Sequence, residues 1–115
     1  MTIEQCYEQL HGDYAQVIQR LPSPALVERF IGKFLDDGSF SELASAMAAG
    51  QTEAAFRAAH TLKGVCQNLG LDCLYKSSYE VTEALRKGKN DVTPEMMEKL
   101  EADYDVTVSS IRELQ

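Results

Sequence analysis

The sequence has no tryptophan, only three prolines and three cysteines, and 11 basic residues against 18 acidic ones in 115 positions. Each shortage excludes something. Pro22, Pro24 and Pro94 all sit near candidate segment starts, leaving long stretches free to run as helix. No apolar run approaches the ~20 residues needed to cross a bilayer. The net charge of −7 would be repelled by phosphate backbones and anionic lipid, so neither nucleic acid nor a membrane surface is expected as a partner. Cys6, Cys66 and Cys73 are odd in number and lack zinc-type spacing. The opening residues show neither the basic nor the apolar region of a secretory signal, so reduced thiols in cytoplasm are expected. Cys66 and Cys73 read as small apolar residues. There is no Gly-rich phosphate loop and no kinase motif.

What is present is helical patterning. A hydrophobic fraction of 44% over 115 residues suits a single domain, 1–115, that folds without disulfide or metal staples. Residues 3–10 and 14–20 form short candidate helices, the second capped by Asp13. Ser23 and Pro24 open a third, with Leu26, Val27, Phe30, Ile31, Phe34 and Leu35 at spacings of three and four, stopping near Asp36-Asp37-Gly38. Ser39 is expected to cap a helix over 40–49, and Thr52 a long one over 53–69 that Gly70 stops. A helix over 72–87 ends at Gly88. Thr93 caps the last, over 94–113, whose stripe is Met97, Leu100, Tyr104, Val108 and Ile111. The short connections favour antiparallel neighbours, hence an up-down all-α bundle over 23–114 with short helices over 1–21.

The 53–69 helix carries more than one apolar stripe. At ~100° per residue, Leu62, Val65, Cys66 and Leu69 cluster opposite His60, with Ala55 and Ala58 beside them. Phe56, Arg57, Lys63, Gly64 and Gln67 fall within roughly 60° of His60. The histidine therefore points away from the core. Taken singly, an exposed His, a solvated Lys or one exposed aromatic needs no explanation. Gly64 does, since glycine in a helix interior costs ~1 kcal/mol relative to alanine. Together these residues make a flat, accessible landing site.

Neutral imidazole, with a reference pKa near ~6.5, is a competent nucleophile toward a phosphoryl group. Lys63 at i+3 is placed to neutralise phosphoryl oxygens, and Gly64 at i+4 leaves room for the group and for a partner. Gln67 is a candidate hydrogen-bond donor. No acidic residue stands at i±3 or i±4 to act as a base for hydrolysis.

The run His60-Thr61-Leu62-Lys63-Gly64-Val65-Cys66-Gln67-Asn68-Leu69-Gly70 resembles the signature of histidine-containing phosphotransfer (HPt) domains of two-component phosphorelays. Ala58-Ala59 before it and Leu71 after it also look like the family, and Cys66 stands where Ser or Ala is commoner. The resemblance implies an antiparallel four-helix bundle with short additional N-terminal helices. It also implies phosphorylation of His60 on Nε2, and a phosphocarrier with no autonomous kinase activity. Implied partners are response-regulator receiver domains and a hybrid histidine kinase. The expected cofactors are none, with Mg²⁺ held by the receiver. A receiver would dock over the exposed face of the 53–69 helix and part of the 72–87 helix. Phe56 would give apolar contact there, Arg57 and Gln67 a polar rim, with Lys63 and Gly64 at the centre.

Two other readings are weighed. In a scaffolding bundle His60 is incidental. A four-helix metal or haem site would project His and Glu inward, often as Glu-x-x-His, but Arg57 stands three before His60 and His60 faces outward. No metal ligand is assigned. His11 reads as a surface residue, Asp36-Asp37 as a helix end and Met96-Met97 as core filler. Tyr75 and Tyr79 on the 72–87 helix are given packing or partner contact only. A monomer is expected.

Overall fold

The computed structural model describes residues 1–114. Seven helices follow one another: α1 (Ile3–Gln9), α2 (Tyr14–Arg20), α3 (Pro24–Lys33), α4 (Ser39–Ala48), α5 (Thr52–Leu69), α6 (Asp72–Ala84) and α7 (Pro94–Leu114). Single 3-10 turns cover Phe34–Asp36 and Arg86–Gly88. The fold is all-α, with no strand among the described residues. No helix among them is long and apolar enough to cross a membrane.

Local chemistry sets most helix starts. The side chains of Asp13, Ser23 and Thr93 accept from the backbone N–H groups of Gln16, Leu26 and Met96, as their spacing predicts. Thr2 adds a capping box with Gln5. Two expected caps are corrected. Ser39 and Thr52 lie inside the first turns of α4 and α5, and neither end has a side-chain cap. Asp37 takes the Ser39 N–H instead, at 2.9 Å, and Ser39 is buried. The expected 72–87 helix stops at Ala84, because Lys87 turns left-handed at φ +63° and the chain tightens into a 3-10 turn.

Helices α4 to α7 pack as a bundle in which each helix lies against the next. Leu43, Ala55, Leu62, Cys66, Leu74, Val81, Leu100 and Ile111 are among its buried residues. Phe40 of α4 stacks on Tyr104 of α7 at 4.1 Å, and Phe34 tilts against the same ring. Met96 and Met97 are half-buried against the core. Phe30, expected in the α3 stripe, is exposed; α3 buries only Val27 and Ile31 fully, and Lys33 lies over the Phe30 ring instead. Cys66 is buried as expected. Cys73 is only half-buried, whereas Cys6 is buried.

The first two helices hold one end of α5. The Tyr7 hydroxyl donates to the Leu69 carbonyl at 2.6 Å. Arg20 donates to the carbonyls of Gln67 and Asn68, and the Asp13 N–H to that of Gly70. These donors meet carbonyls that a helix C-terminus leaves without intrahelical partners. Gly70, at φ +66°, ends α5 with Gly70 N–H bonded to Gln67 and Leu71 N–H to Cys66. A Cβ on Gly70 would stand 2.5 Å from Val17 Cγ2, and one on Gly12 2.5 Å from the Gly70 carbonyl oxygen. Close approach therefore requires glycine at both places.

Candidate functional site

His60 is the ninth of the 18 residues of α5, and its imidazole is exposed. Of the expected buried face, Ala55, Ala58, Leu62, Cys66 and Leu69 are buried, as is Ala59; of the outward face, His60, Arg57 and Gln67 are exposed, while Phe56, Lys63 and Gly64 are half-buried. Val65, placed on the buried face by its spacing, is half-buried and packs against the core. Burial is the main cause that pushes the Cys66 thiol up, so the sulfur behind the site stays protonated.

A shallow depression of about 430 Å³ is lined by Phe56, Arg57, His60, Thr61 and Arg86. The rings of Phe56 and His60 are 6.0 Å apart and inclined at 40°. The Arg86 guanidinium, from the 3-10 turn after α6, sits 5.3 Å from the centre of the Phe56 ring. That contact explains a half-buried aromatic on this face, because the cation covers it. Arg57 pairs with Glu53 one turn back at 2.9 Å, and Arg86 pairs with Glu83.

Lys63 is one turn beyond His60 and half-buried. Among the described residues no carboxylate lies within ion-pair distance of its ammonium. Its Nζ stands 5.7 Å from the centre of the Tyr79 ring on α6. Gly64 faces open space, and a Cβ there would meet nothing within 4 Å. Internal packing therefore does not ask for glycine at 64. Gln67 is exposed on the same face, and seven residues put it roughly 10 Å along the axis from His60, beyond what its side chain spans. It belongs to the rim of the face rather than to the imidazole.

Of the residues singled out by their spacing, the depression joins His60, Phe56 and Arg57. Lys63, Gly64 and Gln67 continue the same face toward the C-terminus of α5. The structure adds Thr61 and Arg86 to the depression and brings Tyr79 to Lys63. A signal for two of them existed. In an antiparallel hairpin turning at Leu71, residues equally distant from the turn face one another. Lys63 and Tyr79 are each eight residues from Leu71, and Phe56 and Arg86 each fifteen. Among the described residues no cluster of three or more His, Cys, Asp or Glu side chains is arranged to hold a metal ion.

A family model described as the Hpt domain matches residues 25–109, about three quarters of the chain. Comparisons with curated proteins and with solved structures gave no match. Hpt domains interact with receiver domains and are phosphocarriers rather than autonomous kinases. The chain thus belongs to the Hpt domain family and has a phosphotransfer role in a phosphorelay.

Proposed function

We propose that His60 is the phosphoryl acceptor. It takes the group from the aspartyl phosphate of a receiver domain, such as that of a hybrid histidine kinase, and passes it to another receiver. The observation that carries this reading is the exposed imidazole at mid-helix, sharing a depression with two guanidinium-bearing residues. In the step, an Nε2 lone pair attacks phosphorus, the P–O bond to the aspartyl carboxylate breaks, and the carboxylate leaves with that electron pair. The proton on Nδ1 stays in place, and the reverse sequence serves the next receiver.

Positioning and charge stabilisation supply most of the catalysis in such a transfer. Lys63 is the cation for the phosphoryl oxygens, since no carboxylate among the described residues neutralises it. Arg57 and Arg86 line the depression with donors for a phosphoryl group or a partner, but Glu53 and Glu83 offset much of their charge, which leaves Lys63 as the main cation there. Gly64 leaves the receiver a close approach beside the imidazole. Phe56 gives apolar contact, and Gln67 extends the polar rim. The chain works as one cytoplasmic domain and as a monomer, and it takes its Mg²⁺ chemistry from the receiver.

The test is His60→Gln. The exposed position predicts an unfolding free energy within about 0.5 kcal/mol of wild type. It also predicts complete loss of acid-labile phosphate after incubation with acetyl-phosphate-charged receivers. Label still appearing on that variant would sink the assignment.

A further inference from the structure

A lysine side chain has four rotatable carbons and loses much freedom when it is held in one place. A cation helps a developing charge most when it is already in position. A carboxylate partner would hold the Lys63 ammonium but would also cancel its charge, as Glu53 partly does for Arg57. An aromatic face attracts a cation through the ring quadrupole and leaves the full positive charge in place. Tyr79 supplies such a face 5.7 Å from Nζ, across the seam between α5 and α6. Tyr79 is 45% exposed, so core packing does not account for a large ring there. Tyr75, one turn earlier on α6, backs it with ring centres 6.2 Å apart.

We propose that Tyr79 is a positioning residue for phosphoryl transfer at His60, its ring holding the Lys63 ammonium on the α6 side of the imidazole. This role rests on His60 being the acceptor. It differs from a docking contact, because it acts through Lys63 and requires no partner protein.

That difference selects the donor for the test. Phosphoramidate is too small to engage a docking surface: a His60 nitrogen attacks its phosphorus, the donor P–N bond breaks, and ammonia leaves. The second-order rate of acid-labile phosphate formation is measured on the full chain. Tyr79→Leu should lower it about two- to fivefold, the range of an exposed cation–π contact, and Tyr79→Phe should keep the wild-type rate. In a Lys63→Ala background, Tyr79→Leu should add nothing. An unchanged rate in Tyr79→Leu overturns the role, and so does an equal loss in the Lys63→Ala background, which would mean the ring acts independently of the cation. A wild-type chain that forms no phosphohistidine overturns the assignment of His60 itself, a result distinct from either of those.

Discussion

The Arg86 guanidinium lies 5.3 Å from the centre of the Phe56 ring, so a residue beyond the end of α6 covers an aromatic one turn before His60 on α5. The contact puts a second cation on the wall of the depression that holds the imidazole. Arg86→Ala is expected to slow phosphoryl acceptance from a charged receiver by roughly threefold to tenfold. That is well below the loss seen for an enclosed oxyanion donor, because this charge is exposed, screened and paired with Glu83. Arg86→Lys should recover part of the rate by restoring the charge without the planar stack. Transfer time courses at two ionic strengths check this, and the deficit of Arg86→Ala should shrink at the higher salt.

Two glycines of the α5 hairpin should respond to alanine with opposite signs. At Gly64 the helix is regular and the space is open. Gly64→Ala should therefore raise stability by about 0.5–1 kcal/mol through helix propensity. A large side chain there, as in Gly64→Gln, should obstruct a receiver and raise the half-saturating receiver concentration while leaving the fold intact. At Gly70 the backbone is left-handed and Val17 is already in the way. Gly70→Ala should destabilise by about 2 kcal/mol or more. Urea unfolding of the two alanine variants reads both signs.

Local chemistry made the helix order legible, along with the caps at Asp13, Ser23 and Thr93 and the outward face of His60. Each depends on residues within about one or two turns of one another. Ser39 and Thr52 misled because a good capping residue type is no guarantee of the capping position; Asp37 took the donor at α4. Tyr79 and Arg86 belong to the site only after the α5–α6 hairpin closes, so their link to Lys63 and Phe56 is tertiary. The bonds from Tyr7 and Arg20 to the end of α5 join residues more than forty positions apart, and nothing in local spacing announces them.

The three thiols should separate by accessibility. Burial is the main cause that pushes both the Cys6 and the Cys66 thiols up, so neither provides thiolate near neutral pH. Cys73 is half-buried and lines a cleft between α1, α6 and α7. A disulfide reagent applied to the native protein at pH 8 should titrate one thiol quickly and the other two only on unfolding. A native-state stoichiometry of three would contradict the packing of Cys6 and Cys66.

The hydroxyl of Tyr7 ties α1 to the carbonyl of Leu69, the last residue of α5, and its ionisation links that tie to pH. Burial above all pushes the Tyr7 phenol upward, with Cys6 and Tyr14 adding to the shift and Arg20 opposing it. A raised folded value means that the folded chain keeps the phenolic proton after the unfolded chain has begun to lose it. The contribution is therefore complete below the unfolded value of about 10 and is lost as pH rises past it. Tyr7→Phe removes both the hydrogen bond and the titration. Near neutral pH it should cost about 1–2 kcal/mol, because the Leu69 carbonyl loses its buried donor. Between about pH 9 and pH 11 its stability should fall less steeply than that of wild type, so the two curves converge at alkaline pH. Urea unfolding across that range, followed by helical circular dichroism, measures the convergence. Parallel curves would mean that the Tyr7 hydroxyl is not the group whose ionisation loosens the N-terminal helices from α5.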